Sequence, residues 1–326
     1  MELLDIKDLG VGYRTYRGKL KVLNGVRLTV NQGEKVGIIG ESGCGKTTAM
    51  RAILRILASN ADVNSGEIFF KGKDLLKMSN KEITDVRRKH ITMIFQDPTA
   101  ALNPVFKVEE QLMDVIRYSQ ITKDEKVTKE KLRATSLSLL KEVALPDPER
   151  VLDSYPFQLS GGMRQRICIA MSLATSGDLL IADEPTTSLD VTIQDQVFQL
   201  MKNLVQKRNL SVILISHALG AVRGTVDKVY VMYAGNMMEA AETEQVFSNP
   251  LHPYTQELIK CVPKLSGIGF SEGIKGSVPD YMNPPPGCRF NPRCPHAFDR
   301  CRVEKPELCN ESDGHQVACW LYSCKG

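Results

Sequence analysis

Gly40-Glu41-Ser42-Gly43-Cys44-Gly45-Lys46-Thr47 puts three glycines, a lysine and a hydroxyl within eight residues. Glycines let successive backbone N–H groups converge on phosphate oxygens, a lysine can reach the outer phosphates, and a threonine hydroxyl can ligate Mg²⁺. The candidate phosphate-binding residues are Gly40, Ser42, Gly43, Cys44, Gly45, Lys46, Thr47 and Thr48, with Thr47 also on Mg²⁺. A second group is acidic. Asp183 and Glu184 end the apolar run Leu179-Leu180-Ile181-Ala182. Asp183 at a strand end can hold Mg²⁺ through water, and Glu184 can polarise an attacking water as general base. Gln96, after Ile91-Thr92-Met93-Ile94-Phe95, is placed to orient Mg²⁺ and water, and His217, after Ser211-Val212-Ile213-Leu214-Ile215-Ser216, to donate to a γ-phosphate. Each of these residues alone has an ordinary reading as a turn or surface residue. Together they specify phosphoryl transfer from a nucleoside triphosphate.

The elements that must position them are legible as pattern. Glu34 to Ile39 reads as a short buried strand feeding the glycine-rich loop, and Thr48 to Leu57 as a helix with Met50, Ile53, Leu54 and Leu57 on one face. The runs before Gln96, Asp183 and His217 also read as buried strands. Val108 to Tyr118 and Lys126 to Val143 read as amphipathic helices, and Gly162 to Ala174 as a third.

In this order the residues resemble the ATP-binding subunits of ABC transporters, over about the first 250 positions. The resemblance covers the phosphate loop, Gln96, the signature Leu159-Ser160-Gly161-Gly162-Met163, Asp183-Glu184, the segment Ser188-Leu189-Asp190, and His217. It implies an α/β fold: a P-loop ATPase core with an antiparallel β subdomain, a helical subdomain over about residues 97–176, and a nucleotide-binding domain spanning 1–262. It further implies an aromatic stacked on adenine, with Tyr13 in better register than Tyr16. Ser160, Gly161 and Gly162 would act on ATP held by a partner subunit, and Asp190 is a further nucleotide-binding candidate. Two positions depart from the family pattern: Phe157 stands where His is usual, and Ala218 where Asp usually follows the switch histidine.

Asn249-Pro250-Leu251-His252-Pro253-Tyr254-Thr255 and the sequences around the signature narrow the resemblance to the dipeptide and oligopeptide importers, some of which handle nickel. The expected function is ATP hydrolysis that drives import of di- or oligopeptides. The alternatives are a nickel importer or a soluble ABC ATPase outside transport. The implied partners are a second, different ATPase subunit, two transmembrane permease subunits and, indirectly, an extracytoplasmic peptide-binding protein. The implied location is the cytoplasmic face of the membrane.

Beyond residue 262 the composition changes. Gly267, Gly269, Gly273, Gly276 and Pro284-Pro285-Pro286-Gly287 mark a loop-rich appendage over 263–326, which holds six of the nine cysteines. A small loop-rich segment needs a staple, and disulfides are disfavoured in a reducing compartment where ATP is used. Cys288, Cys294, Cys301 and Cys319, at intervals of five, six and seventeen residues, suit zinc or an iron–sulfur cluster, and spacing does not choose between them. The resemblance to peptide-importer tails favours a [4Fe–4S] cluster. Cys309 and Cys324 compete as ligands, whereas Cys44, Cys168 and Cys261 read as packing residues.

With 42 basic and 38 acidic residues, the net charge of +4 argues against a nucleic-acid partner. No apolar stretch approaches the roughly 18 residues of a spanning helix, and Met1-Glu2-Leu3-Leu4-Asp5 lacks a signal-peptide pattern. No long internal repeat is present, so one cassette per chain is expected.

Overall fold

Short runs of Val, Ile and Leu bounded by turn residues form the buried strands that carry the chemistry at their ends. The computed structural model describes residues 1–120, 128–175, 177–187, 189–261, 273–312 and 314–322. The chain forms two units, Met1–Met78 with Leu214–Gly326, and Ser79–Ile213. The expected boundary at 262–263, together with Ser188, Gly267, Gly269 and Cys324, lies outside the described residues.

In the first unit an antiparallel sheet runs in the order Gly18–Asn31, Glu2–Thr15, Ala61–Phe70, Lys73–Asp74. Beside it Lys35–Ile39 pairs in parallel with Lys228–Tyr233, Val36 opposite Lys228 and Ile39 opposite Val231. Lys228–Tyr233 then turns back antiparallel into Asn236–Glu242. The two turn residues, Ala234 and Gly235, both have positive φ, 43° and 78°, as a two-residue hairpin turn demands. All five residues of Lys35–Ile39 are buried or half-buried, which is why the strand reads as a continuous apolar run rather than an alternation.

The cysteine-rich tail joins this unit. Cys309–Ser312 and His315–Val317 form a hairpin whose second strand pairs with Asn236–Glu242, setting Glu239 opposite Val317 and Ala240 opposite Gln316. Composition had marked the segment as loop; three- and four-residue strands are too short for a period-two pattern to show.

In the second unit Ile91–Ile94 lies parallel to Leu179–Asp183, Ile91 opposite Leu179 and Ile94 opposite Ala182. The expected helices appear as Val108–Gln120, Lys129–Glu142 and Gly161–Leu173. Leu112, Ile116, Leu132, Leu139 and Leu140 bury the faces that the sequence had marked as apolar. Thr128 caps the second helix by accepting from the Lys131 N–H at 3.3 Å. Glu109 and Arg133 form an ion pair between the first two. Among the described residues no helix is long and apolar enough to cross a membrane.

Candidate functional site

In the first unit, the Lys35–Ile39 strand delivers the chain into Gly40–Gly45, and the Lys46–Ile53 helix leaves it. Gly40 has φ 151° and a Cβ there would stand 2.0 Å from the Met232 carbonyl oxygen, so no other residue fits. Gly45, at φ 105°, is the helix N-cap and supplies no side-chain cap; the first turn carries no acidic residue, and its N–H groups and dipole favour an anion. Lys46 is 4% exposed. Its Nζ donates to the Gly40 and Glu41 carbonyls at 2.8 and 3.1 Å, folding the side chain back along the loop. Cys44 is fully buried within the loop, with Sγ 3.8 Å from Lys46 Nζ. Burial raises its thiol pKa against the pull of Lys46, in keeping with its reading as a packing residue.

The switch His217 follows the Ser211–Ile215 strand and is exposed. Its Nε2 stands 3.4 Å from the Ser42 hydroxyl of the phosphate loop. Ser216 Oγ accepts from the Ala218 N–H at 3.0 Å and fixes the turn. Gly40, Ser216, His217, Leu219, Leu258 and Cys261 border a cavity of about 310 Å³.

Tyr13 lies half-buried in the Glu2–Thr15 strand, opposite Leu20 and Ala61. Tyr16 sits in the following turn with its ring 90% exposed and the Arg17 guanidinium 5.2 Å from its centre.

In the second unit the Leu179–Asp183 strand ends at two buried carboxylates, Asp183 at 2% and Glu184 at 8% exposure. Glu184 has φ 48°, a left-handed conformation uncommon outside glycine and often found where geometry serves function. Its Oε2 accepts from Gln96 Nε2 at 2.7 Å and from Thr187 Oγ1 at 3.0 Å. The sequence assigned Gln96 to Mg²⁺ and water and gave no sign of its bond to Glu184, nor of Thr187, three residues beyond that carboxylate.

The signature occupies the N-terminus of Gly161–Leu173. Ser160 is its exposed N-cap, accepting from the Met163 N–H at 3.3 Å. Arg164 Nε donates to the Leu159 carbonyl at 3.1 Å and its Nη1 to Thr99 Oγ1, tying the segment down from behind. A Cβ at Gly162 would meet Ile193 Cγ2 at 3.0 Å, so the glycine allows close packing on the Val191–Arg208 helix. Asp190 caps that helix through the Ile193 N–H at 3.1 Å.

In the tail Cys288, Cys294, Cys301 and Cys319 are all free thiols. Burial pushes Cys288 up to about 12, and Cys319, Cys294 and Cys301 push in the same direction. Cys319, raised to about 11 by burial, is in turn raised by Cys294 and Cys301, and Cys294, raised by burial, by Cys301. Each of the four thiols thus interacts electrostatically with others in the set. Among the described residues no three His, Cys, Asp or Glu side chains converge as ligands of one metal ion. Cys309 is disulfide-bonded, against the expectation that the tail would hold no disulfide, and this removes it from the competing ligands.

Sequence reasoning missed a buried polar hub. Glu239, fully buried, accepts from the Leu251 and His252 N–H groups at 2.9 and 2.8 Å and is 2.7 Å from His315 Nε2. His252 Nδ1 accepts from the Tyr254 N–H at 3.0 Å. Burial lowers the His252 pKa to about 4, with Glu239 opposing, so the ring is neutral at pH 7. A glutamate within the otherwise apolar Met237–Ala241 run was the available signal.

Two family descriptions match the chain: ABC transporter over residues 23–187, and oligopeptide/dipeptide transporter, C-terminal region, over 238–301. The chain is 44% identical over 322 residues to the dipeptide transport ATP-binding protein DppD of Bacillus subtilis, covering 98% of this chain and 95% of the relative. It is 41% identical to DppD of Escherichia coli, covering 98% and 96%. Among solved structures, the dimeric post-hydrolysis state of the ATP-binding cassette MJ0796 bound to ADP and Pi matches with a TM-score of 0.66 at 25% identity, covering 74% of this chain and 98% of that one.

Proposed function

The chain belongs to the ABC transporter ATP-binding proteins of the dipeptide and oligopeptide type, and from that premise we propose that it hydrolyses ATP to drive import of di- or oligopeptides. The observation that carries the reading is a likeness over nearly the whole chain, with the oligopeptide/dipeptide C-terminal region included. Lys46 and the N–H groups from Gly43 to Thr48 bind the phosphates. The Thr47 hydroxyl and the Asp183 carboxylate would hold Mg²⁺, which when bound neutralises charge on the phosphate oxygens. Glu184, oriented by Gln96 and Thr187, takes a proton from the attacking water, and His217 donates to the γ-phosphate.

Adenine stacks on Tyr13, by the family register; the second reading is Tyr16, whose 90% exposed ring has room for a base. Ser160, Gly161 and Gly162 act on ATP held by the second ATPase subunit, since a helix N-terminus with an exposed serine is a ready anion site, and Asp190 is a further nucleotide-binding residue. Clamping favours the closed pair and hydrolysis releases it. Two permease subunits form the pore, an extracytoplasmic binding protein presents the peptide, and this subunit works at the cytoplasmic face. The four tail thiols Cys288, Cys294, Cys301 and Cys319 would hold a [4Fe–4S] cluster, which the resemblance to peptide-importer tails favours over zinc.

Peptide-stimulated ATPase activity in the reconstituted transporter tests the substrate class. Stimulation by a dipeptide or oligopeptide panel is expected; stimulation by Ni²⁺ with no response to peptides would transfer the chain to nickel import.

A further inference from the structure

Glu41, the second residue of the phosphate loop, is held at three points. Its N–H donates to the Tyr254 hydroxyl at 2.8 Å. Its carboxylate accepts two N–H donors from Arg293, at 2.7 and 3.1 Å. Its carbonyl accepts Lys46 Nζ. Two residues on, the Gly43 carbonyl accepts the Tyr281 hydroxyl at 2.7 Å.

Arg293 and Tyr281 both come from the tail, some 240 residues away in sequence, and both are anchored. Arg293 is 4% exposed; its Nε donates to the Lys275 carbonyl at 2.8 Å, Nη2 to the Ile274 carbonyl at 2.9 Å, and Nη1 to the Tyr233 hydroxyl at 3.2 Å. The Tyr281 carbonyl accepts the Lys21 N–H at 2.8 Å. Arg293 directly precedes Cys294 and ends the short Asn291–Arg293 helix, itself fixed by Asn291 bonding the Cys288 carbonyl through both its backbone N–H and its side chain.

The loop's positive-φ glycines give it a shape that little in the loop itself enforces. Lys46 does part of the work through the Gly40 and Glu41 carbonyls, but a lysine that moves to a phosphate must leave them. The contacts to Glu41 and Gly43 from Arg293, Tyr254 and Tyr281 do not depend on Lys46, and they keep the N–H groups converged while it moves.

We propose that Arg293 and Tyr281 are positioning residues for nucleotide binding: from the cysteine-rich tail they hold the phosphate loop in its binding shape and so set the affinity for ATP. Both residues act through Glu41 and Gly43 of the loop, so the effect falls on Kd and KM and not on kcat. The inference rests on the assignment of Gly40 to Thr47 as the ATP loop.

The test is equilibrium binding of Mg-ATP to the full-length chain, with kcat and KM measured in the assembled transporter. Arg293→Ala is expected to raise Kd and KM on the order of tenfold and Tyr281→Phe about threefold, with kcat at saturating ATP within about twofold of wild type. Arg293→Lys should recover part of the affinity. Arg293→Ala combined with Glu41→Ala should cost less than the sum of the two single changes, because both remove the Arg293–Glu41 ion pair. Should Arg293→Ala fail to fold, Tyr281→Phe decides, since it removes a single hydroxyl. Unchanged Kd in the folded variants, with only a lowered melting temperature, would overturn the proposal. Lys46→Ala separates the two readings: normal ATP binding in that variant would refute the loop assignment, whereas its loss beside unchanged Arg293 and Tyr281 variants would refute the brace alone.

Discussion

The phosphate loop and the signature segment are both glycine-containing turns that open a helix, yet they are finished differently. The loop is enclosed by its own unit: Lys46 is buried, Glu41 has partners on N–H, carbonyl and carboxylate, and the Gly235 N–H donates to the Cys44 carbonyl at 2.8 Å. The signature is tied from behind by Arg164 and presents Ser160 to solvent, bonded only within its own helix turn. Both have the N–H groups that bind an anion. The loop has the surrounding walls of a complete binding site, and the signature has the form of a surface that another molecule completes.

Substitutions at the two ends should therefore fail in different ways. Glu184→Gln keeps the contact to Gln96 but loses the base; about 10³-fold slower turnover in the assembled transporter is expected, with ATP still bound. Ser160→Arg should slow turnover of the assembled transporter by about 10²–10³-fold while leaving Mg-ATP affinity of the separate chain at its wild-type value. Loss of affinity in the separate chain would break the comparison, because the signature would then serve its own chain's nucleotide.

A third expectation concerns the walls around the loop. His252 takes up a proton near pH 6.5 when unfolded and only near 4 when folded. Its depressed pKa means that the unfolded chain binds more protons between those values, so the stabilisation from the neutral ring is complete above about pH 6.5 and is lost as pH falls towards 4. About 3 kcal/mol is at stake. His252→Asn keeps an N-cap acceptor for the Tyr254 N–H and should flatten urea-unfolding stability over that window. An unchanged slope would place the acid sensitivity elsewhere.

What was legible in the sequence follows from range. The phosphate loop, Asp183-Glu184 and the signature depend on residues within about ten positions of one another, where spacing is information. Gln96 and Glu184 lie 88 residues apart; each was singled out because it follows an apolar strand run, but the hydrogen bond between them was not legible. Arg293 on Glu41, 252 residues away, left no local trace: an arginine between two cysteines looks like a solvated charge. Glu239 had only its apolar neighbours Met237, Met238, Ala240 and Ala241 as a local signal; its partners Leu251, His252 and His315 left none. The tail strands escaped notice because ladder pairing, of His315–Val317 with Asn236–Glu242 and of Cys309–Ser312 with His315–Val317, and not propensity, makes them strands.

The central claim, that this chain carries a finished phosphate loop and a signature completed only by a partner, is tested most directly by comparing turnover of the separate full-length chain at high dilution with that of the assembled transporter, both at saturating Mg-ATP. The expected result is Lys46-dependent ATP binding in both, with hydrolysis by the separate chain at least about 100-fold slower and rising with chain concentration. Concentration-independent hydrolysis by the separate chain at the assembled rate would contradict the account.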